Sequence, residues 1–362
     1  MKQIILSTAK DIAKGQLLHP GLDVPSRNGG AMSSFQVPVS NAVNAKPQPL
    51  VPRMPGSKRR HLPEWAPILS QGFDTVVEYF GGALWVSQAL VQAEQSTVKR
   101  VIVAEVATDL RAIYTAWLNQ EKTIEGRDFR RAVGRQLQAW QKEGIEAAWP
   151  LIKTCYEAHQ QNGGASPRAA AAGLSLRLLT VSGIVRDTPG SGRLNVVPNK
   201  SQIDRWLKYE PQWPKAPEQL RIVSDYRVSG LPSDCSNTLA ICDPPYCGVL
   251  GKATRRGGHF ISPAYFGHRP HEQFTADMAV DSVQHALSHG CRTVIACNYD
   301  AEWLDMIYRG MAARYGYSCT RTVRGSLTGL NNNVRPAKRE NPYKDTYWVF
   351  QKIGTGVMEV AA

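Results

Sequence analysis

The spacing of hydrophobic and polar positions changes several times along the chain, and each change marks an element. "FDTVVEYF", 73–80, is a short Val- and aromatic-rich run that reads as a buried strand. "GGALWVSQALVQAE", 81–94, opens on paired glycines and then spaces its apolar residues as an amphipathic helix does; "RVIVAEV", 100–106, is a second buried strand. Together they predict a βαβ unit, and strands so rich in Val and Ile predict a parallel sheet covered on both faces. The alternation resumes later with "LRIVSDYR", 220–227, "TLAICDPPY", 238–246, a helix over 274–290, the strand "RTVIACN", 292–298, a helix over 300–316 and the strand "KDTYWVFQKI", 344–353.

Between the two stretches the pattern is different. Residues 108–161 read as helical, with Trp117, Trp140 and Trp149 among many charges. A Gly/Ala/Ser stretch follows at 162–173, then a turn at "DTPGSGRLN", 187–195, and a polar helix at "KSQIDRWLKY", 200–209. The first fifty residues are rich in Pro, Ser, Asn and Gly and read as an irregular extension, within which 1–18 is the stretch that suits a helix. No internal repeat is visible. The organisation expected is α/β: one doubly wound sheet interrupted by a mostly helical insertion.

Composition narrows the setting. With 362 residues, 43% of them hydrophobic, the chain can bury one large core or two smaller ones. An excess of 43 Lys and Arg over 30 Asp and Glu gives a formal charge of +13, which suggests a polyanionic partner, nucleic acid ahead of membrane. Seven cysteines, an odd number without a C-x-x-C pair, suggest a reduced, intracellular protein. No run approaches the roughly 18 apolar residues of a membrane span, and the opening residues lack a secretory pattern, so a cytoplasmic location is expected.

Three stretches carry chemistry. In "VEYFGGALW", 77–85, Gly81 and Gly82 sit between strand and helix, where backbone can approach a ligand closely and the helix N-terminus favours polar or anionic groups. Glu105 ends the next strand, where a carboxylate is placed to accept hydrogen bonds from two ribose hydroxyls; Asp109 nearby suits a helix cap. In "DPPY", 243–246, the prolines cannot donate to a ladder and so stop the strand. The Asp243 carboxylate and Pro244 carbonyl can both accept from an amino group and turn its lone pair outward, while Tyr246 stacks on the ring that carries the amine.

Taken in order, these stretches resemble the DNA adenine-N6 methyltransferases of the Dam-like, D12 class (the alpha group), which use S-adenosylmethionine. "RMPGSK", 53–58, is similar to that family's N-terminal cofactor motif, "VEYFGGA" to its Phe-x-Gly motif, "AEVATDL", 104–110, to its acidic strand end, and "VSDYR", 223–227, to the Asp-aromatic pair beside the cofactor adenine. "DPPY" matches the catalytic motif unchanged, "ACNYDAEWLDMIY", 296–308, resembles a late strand-helix element, and "GRLNVVP", 192–198, is similar to a Gly-x-x-Asn-Val-Pro segment. The likeness covers roughly 51–119 and 219–351. Three residues depart from the pattern: Leu84 replaces the second Gly of Phe-x-Gly-x-Gly, Glu105 replaces Asp, and Ser57 replaces Gly.

The resemblance implies a Rossmann-like, doubly wound methyltransferase sheet carrying an inserted target-recognition domain. Its parts would be an extension at 1–50, a first methyltransferase segment at 51–119, the insertion at 120–218, a second segment at 219–353 and a tail at 354–362. It implies catalysis by Asp243, Pro244, Pro245 and Tyr246 on an adenine flipped out of double-stranded DNA. S-adenosylmethionine would be held by Met54, Gly56, Lys58, Phe80, Gly81, Gly82, Glu105, Asp225, Tyr226 and Asp243. Arg177, Arg186, Arg193, Lys200 and Arg205 in the insertion, and Lys252, Arg255 and Arg256 after DPPY, are the candidate DNA contacts. A cognate restriction endonuclease is a further partner that the resemblance allows. Adenine in RNA, cytosine N4 and a non-catalytic DNA-binding role stay open as alternatives; a dinucleotide oxidoreductase lacks the full G-x-G-x-x-G. His285 and His289 have helical metal-pair spacing, and His268 lies close to His271, but no ligand set surrounds them and no metal is expected.

Overall fold

In chain order the strands are β1 Thr75–Glu78, β2 Arg100–Ala104, β3 Asp187–Thr188, β4 Arg193–Leu194, β5 Gln219–Val223, β6 Thr238–Cys242, β7 Thr293–Tyr299, β8 Tyr317–Ser326 and β9 Lys344–Lys352. The helices are α1 Leu62–Leu69, entered through a 3-10 turn Lys58–His61, then α2 Trp85–Gln92, α3 Ile145–Gln161, α4 Pro167–Leu179, α5 Ala276–Ser288 and α6 Glu302–Tyr315. The computed structural model describes residues 58–93, 96–105, 110–111, 113–115, 142–161, 167–179, 187–188, 193–194, 217–225, 227, 231–244, 276–326 and 344–354, with scattered helical positions at 132–139. The helices expected over 1–18 and 200–209 lie outside the described residues.

Seven strands join one sheet in the order β5-β2-β1-β6-β7-β9-β8, and β3 and β4 pair as a separate hairpin about the turn expected at 187–195. From β5 to β7 every pairing is parallel. The βαβ unit of β1, α2 and β2 is parallel as expected, and the sheet as a whole is mixed: β9 runs antiparallel to both β7 and β8. The apolar run in "KDTYWVFQKI" marks a buried strand without marking its direction. β8, "YSCTRTVRGS", is unexpected because it is polar; it is the sheet edge, and an edge strand need bury only some of its side chains.

Period-two alternation divides the strands between two cores. Val76, Val101, Val103, Leu239, Ile241, Ile295, Tyr347 and Val349 face the core that α1, α2, α3 and α4 cover. Val77, Ile102, Ala240, Cys242, Val294, Ala296, Trp348 and Phe350 face the core that α5 and α6 cover. Each such Val, Leu or Ile is worth roughly 1.5–3 kcal/mol once removed from water, so a one-residue register slip would exchange the faces and is strongly opposed. The described helices of the insertion thus share the sheet's core. α4 covers the Ala-rich stretch read above as punctuation: Ala is the best helix former, and Pro167 sits at the first position, where a missing N–H costs nothing.

The chain leaves β1 toward β2 and β5 on one side, then returns to β6 and β7 on the other. The carboxyl ends of β1 and β6 therefore flank the point where strand order reverses, the place where open α/β sheets form a crevice. Among the described helices none is long and apolar enough to cross a membrane.

Candidate active site

The chain after β1 makes a tight turn into α2. Gly81 N–H donates to Ala104 O at 3.0 Å, which draws the turn against β2. A side chain at Gly81 would place its Cβ 2.5 Å from Val103 Cγ1, so any larger residue there must displace Val103 or the turn. Gly82 has φ +55°, and Leu84, the N-cap of α2, has φ 53° and ψ 37°. Leu84 is the one non-glycine among the described residues with a left-handed backbone, which costs about 1–2 kcal/mol. Its side chain is buried, and that burial offsets the strain. The departure from the Phe-x-Gly-x-Gly pattern falls where the backbone favours glycine.

Two carboxylates brace this turn. Glu105 Oε2 accepts the Gly82 N–H at 2.9 Å. Glu78, at the end of β1, accepts the Ser87 N–H through Oε1 at 2.8 Å and so satisfies one orphan donor in the first turn of α2. Tyr114 Oη donates to Gly82 O, and Arg111 Nη1 donates to Glu105 O at 3.1 Å. Burial pushes the Glu78 pKa up to about 7, with the Ser87 hydrogen bonds opposing and the nearby Asp243 reinforcing. Sequence reading missed Glu78, although an acid closing an otherwise apolar strand was visible.

Across the switch point β6, buried throughout, delivers Asp243 and Pro244. Lys58 Nζ lies 2.8 Å from Asp243 Oδ1. Lys58 is itself buried, so each charge answers the other; removing one partner of such a pair costs about 3–5 kcal/mol. Burial raises the Asp243 pKa and Lys58 opposes it. At the far side of β2, Asp225 follows β5 and accepts from the Arg227 backbone N–H at 2.9 Å and from its guanidinium at 2.6–3.1 Å, which holds the carboxyl below its ordinary range. Phe80 is half-buried beside the α5/α6 core.

A second constellation adjoins the first. Asp345, near the start of β9, accepts from Arg60 Nη2 at 2.7 Å and bonds His61 Nε2 at 3.0 Å. Arg324 of β8 lies 3.5 Å from His61 Nδ1 and pairs with Glu64 of α1. No local signal announces contacts between residues 284 apart.

The structure brings Lys58, Gly81, Gly82, Glu105, Asp243 and Pro244 to one end of the sheet and sets Asp225 at the same end. Met54, Gly56, Tyr226, Pro245, Tyr246, Arg186, Lys200, Arg205, Lys252, Arg255 and Arg256 lie outside the described residues, as does the side chain of Arg193. Arg177 is corrected: at 2% exposure its guanidinium is packed inside α4's core and offers nothing to a phosphate. Its position in the sequence gave no sign of this, since an Arg near a helix end usually reaches solvent. His285 Nδ1 is engaged by Tyr79 Oη at 2.8 Å, and burial pushes its pKa down to about 4. Among the described residues no three His, Cys, Asp or Glu side chains group to hold a metal.

An acid stands at the site end of five of the seven strands: Asp225 after β5, Glu105 after β2, Glu78 on β1, Asp243 after β6 and Asp345 on β9. Three of these acids are already paired with Lys58, Arg60 and Arg227, so the rim offers hydrogen-bond acceptors rather than a net negative charge. Compared with known proteins, the sequence matches no family model and no curated protein.

Proposed function

We propose that this protein is a methyltransferase that uses S-adenosylmethionine, and more particularly that it methylates N6 of adenine in duplex DNA. The observation that carries the reading is the meeting of Asp243–Pro244 with the glycine turn at the switch point, braced by Glu105 and faced by Lys58. A doubly wound sheet with a reversed strand beside its last parallel strand also suits a Rossmann-like methyltransferase.

The residues present fit the cofactor. Gly81 lets the turn close against Val103 and Tyr114, Glu105 offers carboxylate oxygen for ribose hydroxyls, and Asp225 is an acceptor for an adenine amine. S-adenosylmethionine supplies a methyl group on positively charged sulfur. This chain's own residues do the rest. Asp243 and the Pro244 carbonyl accept the N–H bonds of the incoming amine, so that its lone pair points away from them. Burial raises the Asp243 pKa, and the Lys58 charge opposes that rise and so favours the carboxylate. The base must leave the helix to reach this depth, and unstacking costs a few kcal/mol.

The test is tritium transfer from labelled S-adenosylmethionine into unmethylated plasmid, wild type against Asp243→Ala, followed by nucleoside analysis. Label in N6-methyldeoxyadenosine, lost at least about 100-fold in the variant, is the expected result. Label only in RNA or at cytosine N4 would move the substrate assignment, and no transfer to any of them would end the reading.

A further inference from the structure

We propose that Asp345 is a positioning residue: through His61 and Arg60 it fixes the 3-10 turn that presents Lys58 to Asp243. The proposal rests on the methyltransferase reading only for what Asp243 does once it is so held.

Because β9 runs against β7, its first residues lie where the parallel strands finish; Asp345 is opposite Tyr299, the last residue of β7. At 2% exposure its carboxylate must be paired, and both partners, Arg60 Nη2 at 2.7 Å and His61 Nε2 at 3.0 Å, come from the turn Lys58–His61. The His61 ring has no freedom of its own. It stacks on Trp65 with centroids 5.1 Å apart at 14° and meets Tyr347 edge-on at 5.8 Å. Arg324 can only donate, so its approach to Nδ1 at 3.5 Å makes that nitrogen the acceptor and leaves Nε2 to donate to Asp345.

A 3-10 turn has three residues per turn, so Lys58 and His61 project from the same side. One reaches Asp243 after β6 and the other Asp345 on β9, the two strands that flank β7. The turn is thus a bridge across the end of β7 with an acid under each foot. The turn is also held on its other sides, by Arg59 over the Trp85 ring at 5.4 Å and by the His61–Trp65 stack, while His61, the N-cap of α1, makes no side-chain capping bond. Within that frame the clasp at Asp345 fixes the His61 foot, and the shared side of the turn carries that position to Lys58.

Lysine acetylation of the full-length protein by N-hydroxysuccinimidyl acetate, followed residue by residue by mass spectrometry, reads this geometry without reference to activity. Lys58, buried and ion-paired, should react slowly in the wild type. Asp345→Ala should accelerate Lys58 at least about 5-fold, comparable with Asp243→Asn, with Lys99 and Lys153 unchanged. A Lys58 rate equal to wild type overturns the proposal. Acceleration of all three lysines together reports unfolding, and His61→Gln, which leaves Arg60 on Asp345, is then judged by the same criterion.

Where transfer activity is present, its acid limb separates positioning from simple charge. The groups facing Asp243 are Lys58 and His61 of the turn, Asp345 of β9, Glu78 of β1 and the buried thiols of Cys242 on β6 and Cys297 on β7, whose pKa values burial pushes up. Loss of the Asp345 charge alone would lower the Asp243 pKa and move the limb to lower pH; loss of Lys58 raises it and moves the limb up. The clasp requires the upward movement in Asp345→Ala, and a downward one refutes it. A Lys58 response in a protein that transfers no methyl group would sink the functional reading and leave the clasp standing.

Discussion

Glu78→Gln tests how strongly the strand end is desolvated. Glu78 is 6% exposed, and burial lifts its pKa from an ordinary 4.5 to about 7. The folded protein therefore binds this proton more tightly than the unfolded chain does. The stability linked to it is fully present below the unfolded value and is lost as pH rises through about 7. Each tenfold in proton affinity is worth about 1.4 kcal/mol, so the interval corresponds to roughly 3 kcal/mol. Glutamine keeps the shape and leaves an oxygen to accept the Ser87 N–H, and so stands in for the protonated acid. Urea unfolding of variant and wild type should nearly coincide at about pH 4.5 and separate at pH 8 by roughly 3 kcal/mol in favour of the variant, a midpoint difference of about 1 M at a slope near 3 kcal/mol/M. A difference that is the same at both pH values, or a variant less stable at pH 8, would mean that the carboxylate is solvated or that its charge is needed at the N-terminus of α2.

Two further substitutions address the turn itself. Gly81→Ala must displace Val103 or the turn, since the new methyl would lie 2.5 Å from Val103 Cγ1; a loss of about 1–3 kcal/mol and a cofactor affinity weakened more than about 10-fold by calorimetry are expected, and wild-type binding would contradict the close approach. Leu84→Gly removes about 1–2 kcal/mol of backbone strain but also a buried side chain whose truncation costs about 2.7–5 kcal/mol, so thermal unfolding should show a net loss; a raised Tm would show that the strain outweighs the packing.

The parts of this molecule that were legible in the sequence are those with local causes. β1, α2, β2, β5, β6, α5, β7, α6 and β9 each carry a period or a punctuating Gly or Pro, and the stop at Pro244 follows from the missing N–H. The glycine turn and Asp243 were legible for the same reason. β8 was not, because an edge strand with Thr and Arg at alternate positions resembles a loop. The direction of β9 was not, because an apolar run reads the same under reversal. The pairing of His61 with Asp345 depends on strand order, which no window of sequence contains, and the burial of Arg177 depends on how α4 packs.

The reversal of β9 also sets a clock. Its amino end supplies Asp345 to a turn whose Arg60 was made 285 residues earlier, so at a synthesis rate of about 5–20 residues per second the clasp lags behind that turn by roughly 15–60 s. During that interval β1, β2, β5, β6 and β7 can already be paired while the turn bearing Lys58 still lacks its fastening. A nascent chain would thus hold most of its sheet before the turn that carries Lys58 is fastened.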